Sequence, residues 1–192
     1  MAKKESTFLN MVITLFIVTL VASTALAYVY ELTKEPIEMA KLAKKLAAIE
    51  AVIPEYDNNP VDDMYKVAIG EGGDSLEFYP AAMNGETVGT AIRCFSNKGY
   101  GGLVWLMVGI STDGTIYDIS VVDHKETPGL GTKMAEPKFK AQFKGIDPES
   151  VDIRVTKDGG DIDAITAATI SSRAFSEATI LAIDTYKKGV IK

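Results

Sequence analysis

Residues 87–122 read TVGTAIRCFSNKGYGGLVWLMVGISTDGTIYDISVV. Thr87 to Phe95 and Val104 to Ile110 are rich in β-branched and aromatic residues, and Ser111-Thr112-Asp113-Gly114 is a turn leading into Ile116 to Val122. The pattern predicts an antiparallel hairpin within a small sheet. Further on, Pro137 to Phe143 suits a short helix, Val151 to Val155 another strand, and Ile170 to Lys187 a long final helix. Ala174, Ala178, Leu181 and Ala182 are among the inward positions of that helix. Strands followed by helices in this order favour an α+β fold over a doubly wound α/β sheet.

Upstream, Phe8 to Tyr30 reads FLNMVITLFIVTLVASTALAYVY, with no charge. As a helix it is long enough to cross a hydrocarbon core of roughly 30 Å. A cleaved signal peptide is the competing reading, because Lys3 and Lys4 form a basic start and Ala25-Leu26-Ala27 has the small-x-small form of a cleavage site. Length favours the retained anchor, since Tyr28, Val29 and Tyr30 continue the apolar run past that point. Either way the remainder lies on one side of the membrane, and it is placed outside the cytoplasm. After Glu31 a short polar joint is expected, then a helix with Pro36 in its first turn. Its stripe of Met39, Leu42, Leu46, Ile49 and Ile53 would dock on the domain, leaving Lys41, Lys44 and Lys45 wet, with a stalk lying along the membrane surface as the alternative. From Glu55 to Asp74 the prolines, Asn58-Asn59 and Gly72-Gly73 suggest an irregular connection.

With 192 residues there is room for one ordinary domain besides the anchor. A net charge of -6, without a clustered basic stripe, argues against nucleic acid as a partner. Cys94 is the single cysteine, so no internal disulfide can form and a thiolate-held iron–sulfur or zinc site within the chain is disfavoured. No metal ligand, acid or base is assigned.

Three segments carry the candidate chemistry. Asp163-Ala164-Ile165-Thr166-Ala167-Ala168-Thr169-Ile170-Ser171-Ser172 places several hydroxyls where a loop enters the last helix. Free amides and a partial positive charge at such an end suit a phosphate, while capping by Thr169 or Ser171 would account for the same residues. In His124-Lys125-Glu126-Thr127-Pro128-Gly129-Leu130-Gly131-Thr132-Lys133, Pro128 fixes a turn. Gly129 and Gly131 allow positive φ or close backbone approach, and Leu130 is presented as an apolar tip for a flat ring. An ordinary Pro-Gly turn with a structural His124 is the alternative. Asn97-Lys98-Gly99-Tyr100-Gly101-Gly102 is a glycine-rich turn before the strand of Trp105. It lacks both the Lys-Ser/Thr ending of a Walker loop and the dinucleotide spacing.

Together the glycine turn, E-T-P-G-L-G and D-x-x-T-x-A-T-x-S-S resemble the FMN-binding domain of membrane redox complexes. The likeness is strongest to the G subunit of the Rnf ion-translocating electron-transport complex; the C subunit of the sodium-translocating NADH:quinone reductase is a close relative. The resemblance covers about Tyr79 to the C-terminus. It implies covalent FMN, esterified through its phosphate to Thr169 by a flavin transferase that takes FMN from FAD. Asp163, Thr166, Ala168 and Ser172 would occupy matching motif positions, and Ala167 stands where the family has glycine. Glu126, Thr127, Gly129, Leu130, Gly131 and Lys133 would contact flavin or phosphate, with Tyr100, Gly101 and Trp105 nearby. The implied organisation is a cytoplasmic N-terminus over 1–7, a transmembrane helix over 8–30, an amphipathic helix and connection over 31–74, and an FMN-binding domain over 75–192. On this reading the chain is a single-pass protein of the cytoplasmic membrane with its FMN domain on the periplasmic side. Its function would be electron transfer within an Rnf-type complex coupling ferredoxin:NAD electron transfer to Na⁺ or H⁺ translocation. Other membrane subunits are implied as partners, and no stand-alone activity is expected. The C subunit of a quinone reductase and a membrane-anchored scaffold without redox chemistry are the alternatives.

Overall fold

The uncharged N-terminal run folds as a helix that does not stop at Tyr30. In the computed structural model, which describes residues 7–70 and 74–190, helix α1 runs over Phe8–Glu50 with Pro36 inside it. The expected polar joint after Glu31 is therefore absent, and Pro36 does not start a second helix. Proline removes one backbone donor, but Glu, Lys, Met, Ala and Leu crowd both sides of it and favour helix. Most of the expected cytoplasmic segment 1–7 lies outside the described residues.

The N-terminal part of α1 is long and apolar enough to cross a membrane by length and composition. Its hydroxyls return to the helix backbone: Thr14 Oγ1 donates to Asn10 O at 2.7 Å and Thr24 Oγ1 to Leu20 O at 2.7 Å. An apolar helix thus carries threonines without presenting unmet polar groups.

The chain divides into two units, the first ending at Ala43 and the second beginning at Lys44. In the second, Ile49 and Ile53 of the predicted stripe are buried together with Ala48 and Val52. Lys45 departs from the expected wet face and pairs with Glu77 at 3.3 Å.

A meander of five antiparallel strands forms the sheet, in the order β1 (Tyr65–Ala68), β2 (Ser75–Met83), β3 (Glu86–Gly99), β4 (Gly102–Ser111) and β5 (Ile116–His124). The β3–β5 core matches the predicted strands, slightly lengthened. Strand β1 falls inside the stretch expected to be irregular, while Gly72 and Gly73 lie outside the described residues. Strand β2 goes beyond the sequence pattern. Asn84 and Gly85, with φ of 54° and 84°, form the two-residue turn that joins it to β3.

No strand forms over Val151 to Val155, where a single parallel bridge joins Val155 to Ile162. Local carboxylates take the donors that a ladder would need. Arg154 N donates to Asp152 Oδ1 at 3.0 Å, and Asp152 N donates to Asp161 Oδ2 at 2.8 Å.

Short helix α2 (Pro137–Lys140) and long helix α3 (Thr169–Val190) complete the fold. Alternation along the strands sends Ile92, Cys94, Leu106 and Val108 to one face, in one core with Ala174, Phe175, Ala178 and Ala182 of α3; Leu181 is only partly buried against that core. Phe175 meets Phe143 at 4.8 Å and Phe139 at 5.2 Å between ring centroids. The opposite face sets Tyr79, Ala91, Met107 and Val122 among Ala48, Ile49, Val52 and Ile53.

Candidate functional site

Three loops far apart in sequence meet at the N-terminal end of α3. They are the β3–β4 connection, the segment after β5, and the turn entering α3. Between them is a cleft of about 520 Å³ lined by Tyr100, Glu126, Thr127, Leu130, Gly131 and residues 167–171.

One buried carboxylate joins the three loops. Glu126 Oε1 accepts from Gly101 N at 3.1 Å, and its Oε2 accepts from Ser171 Oγ at 2.7 Å. Glu126 N donates to His124 Nδ1 at 3.2 Å, giving that histidine a structural role. Gly131 is seated against this junction so closely that a Cβ there would overlap Glu126 Oε2 and lie 2.5 Å from Ser171 Oγ. Gly129 answers a different demand, its φ of 76° being a conformation that side chains resist. Leu130 between them is exposed beside Tyr100 and Ile170, so three apolar side chains lie open along the cleft.

At the helix entrance, Ser172 Oγ accepts from Ile165 N at 2.9 Å and donates to Ala168 O at 3.0 Å. Ala167 has a φ of 63°, a left-handed conformation unusual for a residue with Cβ. Thr169, the first residue of α3, is half-buried, and its Oγ1 accepts from Lys157 Nζ at 3.0 Å. The motif hydroxyls are thus spread over different partners: Ser171 turns to Glu126, Ser172 to the loop, and Thr169 to a cation. Lys157 belongs to a single turn, Thr156–Asp158, tied to α3 by a two-point contact. Arg173 Nε and Nη2 each donate to Asp158 at 2.7 Å. The Arg173 guanidinium holds the Asp158 carboxyl below its usual range, and Asp158 raises Arg173 in turn.

Some expected site residues lie elsewhere. Trp105 does not line the cleft: strand alternation sends it to the opposite face, 4.1 Å from Arg93 and 5.0 Å from the Phe95 ring. Asp163 and Thr166 are exposed outside the lining. Gln142 clasps the Asp163 backbone, with Asp163 N donating to Gln142 Oε1 at 2.7 Å. Lys133 is likewise exposed, on the short helical turn Gly131–Ala135. Conversely, Ile170 lines the cleft and Lys157 reaches Thr169, although the motifs point to neither as a site residue. The lysine had no local signal, because its contact spans twelve residues and lies beside the Asp158–Arg173 tie.

The family described as FMN-binding domain matches residues 99–184, a segment that contains every residue lining the cleft. The G subunit of the Na(+)-translocating ferredoxin:NAD(+) oxidoreductase complex of Acetobacterium woodii is 34% identical over 184 residues, covering 90% of this chain and 88% of that protein. The chain belongs to the family of G subunits of ion-translocating oxidoreductase complexes. The G subunit from Methanosarcina acetivorans agrees, at 32% identity over 179 residues covering 91% of this chain and 92% of that protein. Among solved structures, the C subunit of a Na(+)-translocating NADH-quinone reductase from Parabacteroides distasonis is similar over 72% of this chain and 78% of that chain. Its TM-score is 0.49 at 21% identity. In this member of the G-subunit family, α1 supplies an apolar helix and the sheet and α3 supply the cleft.

Proposed function

We propose that this chain is an electron-carrier subunit of a membrane-bound, ion-translocating ferredoxin:NAD oxidoreductase complex, with one FMN joined through its phosphate to Thr169. The observation that carries the reading is the convergence of three loops on a cleft with the Thr169 hydroxyl at the N-terminal end of α3. The residues present fit the group. A cleft of about 520 Å³ is of ordinary ligand size, its apolar Tyr100, Leu130 and Ile170 suit a flat ring, and Gly131 lets the Leu130 loop close against Glu126 and Ser171. The first amides of α3 and its dipole suit a phosphate.

When bound, FMN supplies the redox chemistry. Thr127, Gly129, Leu130, Gly131 and the backbone near Ala168 would position it, and Tyr100 and Leu130 would lie against its ring. Glu126 holds the three loops in register, and Ser172 and the Asp163 backbone brace the turn that enters α3.

Attachment requires an outside enzyme, because a threonine hydroxyl is a weak nucleophile without an adjacent base or metal. A flavin transferase using FAD fits that need. Thr169 Oγ forms a bond to the FMN phosphorus as the bond from that phosphorus to the bridging oxygen of FAD breaks. The hydroxyl proton passes to the transferase and AMP leaves with the bridging oxygen, so no electrons are exchanged. The other membrane subunits are partners in electron and ion movement, and the FMN domain faces the outside of the cytoplasmic membrane.

A bond survives denaturation where stacking and hydrogen bonds do not. Full-length chain made together with a flavin transferase should therefore give a fluorescent band on a denaturing gel and a mass increased by FMN. Thr169→Ala should give a dark band, and peptide mapping should find no label on Ser171 or Ser172. A label on either serine, or none on the wild-type chain, would overturn the attachment site. For topology, a reporter active only outside the cytoplasm and fused after Lys192 should work; activity of a cytoplasm-only reporter there would reverse the orientation.

A further inference from the structure

Lys157 is exposed and has no carboxylate within ion-pair distance among the described residues, yet its ammonium rests on the Thr169 hydroxyl oxygen at 3.0 Å. The charged groups around it are otherwise engaged. Arg154 forks onto Asp152, Arg173 onto Asp158, Lys98 pairs with Glu177 on the next turns of α3, and Glu126 accepts from Ser171 and Gly101. A long, flexible side chain is costly to hold in one place, and a neutral hydroxyl offers an ammonium little in return. Its backbone is nevertheless placed with care. Gly159 ends the turn with a φ of 85°, Val155 bridges to Ile162, and the Arg173 fork ties Asp158, the neighbour of Lys157, to α3.

We propose that Lys157 is the counter-ion of the phosphodiester at Thr169, positioning that phosphate at the entrance of α3; this rests on the attachment site proposed above. Once Thr169 Oγ becomes an ester oxygen it is a poor acceptor, but the new phosphodiester carries a full negative charge on oxygens bonded to the same phosphorus. An ammonium already against Oγ needs only a small movement to meet one of them in a charge-assisted hydrogen bond. The amides of α3 approach the phosphate from the helix end, and Lys157 approaches from the turn beside it. The same ammonium offsets charge that builds on the phosphoryl oxygens while the Oγ–P bond forms and the P–O bond to the AMP side breaks. Lys157 is thus a positioning residue for the phosphate and takes no proton in the step.

The test compares full-length wild type, Lys157→Ala and Lys157→Arg, purified in phosphorus-free detergent, in two measurements. The initial rate of flavin incorporation from FAD by the transferase should fall about fivefold in Lys157→Ala and return most of the way in Lys157→Arg. In the labelled proteins, the phosphorus-31 resonance of the phosphodiester should move in Lys157→Ala and lie near its wild-type position in Lys157→Arg. Lys187→Ala, whose lysine pairs with Glu149 away from the cleft, should leave both readouts unchanged. Wild type labelled at Thr169, with Lys157→Ala matching it in both rate and resonance, would overturn the counter-ion proposal alone. An unlabelled or differently labelled wild type would overturn the attachment reading and this proposal with it. An equal change in Lys157→Ala and Lys157→Arg would mean that shape, not charge, is what the position supplies, and would also reject the counter-ion.

Discussion

The two faces of the sheet are built from alternate residues of the same strands, yet they hold different kinds of core. Beneath α3, Ile92, Leu106 and Val108 share one buried cluster with three mutually packed phenylalanine rings, and the nearest carboxylate joining helix to sheet, Glu177, sits at the part-buried margin on Ser96. The face covered by the end of α1 has a smaller buried cluster and a polar knot. There Glu77 Oε2 accepts from the Tyr79 hydroxyl at 2.5 Å, Lys45 at 3.3 Å and Arg93 at 3.4 Å, and Arg93 lies over Trp105. Burial alone would raise the Glu77 carboxyl, but these three donors together bring it below its usual range. Burial and the same contact push the Tyr79 hydroxyl up. The difference teaches where precision is needed. Helix α3 must present its first turn to the cleft, so it rests on rigid aromatic packing; the other face secures the end of α1 through contacts that titrate.

The largest effect should follow Phe175→Ala, which removes the ring at the centre of the aromatic trio. A loss of about 3–5 kcal/mol is expected from urea unfolding of the full chain in detergent, with weakened flavin absorbance because the α3 entrance loses its support. Intact absorbance at that loss of stability would uncouple the cleft from the face beneath α3. Glu77→Gln should cost about 1–2 kcal/mol at neutral pH and leave the flavin spectrum alone. Spectra that change as much as in Phe175→Ala would erase the distinction between faces.

Acid sharpens the same contrast. Glu77 has a folded-state pKa below its ordinary 4.5, so its contribution is fully present above that value and is lost as pH falls through the lower, folded value. Wild type should therefore lose stability in that window more steeply than Glu77→Gln, as read from melting temperature against pH; parallel curves would remove the carboxylate from the account. The smallest expected change is a gain. Ala167→Gly relieves a left-handed alanine at the α3 entrance and should stabilise by about 0.5–1 kcal/mol, measured as a higher urea midpoint, with flavin incorporation at least as fast. A lower midpoint would show that the Ala167 methyl makes contacts worth more than its backbone strain.

Much of this protein is legible without coordinates. The uncharged run from Phe8, the β3–β5 strands, α3 and the three loop motifs are local patterns of hydropathy, turn chemistry and hydroxyl spacing, and each forms where such patterns predict. The Asn84-Gly85 turn was also legible in principle, but Pro80 and a pair of alanines hide the strand before it. Other features depended on competition between local and distant partners. Pro36 was overridden by helix formers on both sides, and Val151 to Val155 lost its strand to the carboxylates of Asp152 and Asp161. Trp105 was near the glycine turn in sequence but faces away, because residues along a strand alternate. By itself the sequence determined the apolar helical run from Phe8, the β3–β5 strands, α3 and the family of the domain, since periodicity and motif spacing act over a few residues. Only the tertiary structure decided that Glu126 bridges three loops and that Lys157 meets Thr169, because both contacts join residues whose proximity is created by packing α3 on the sheet.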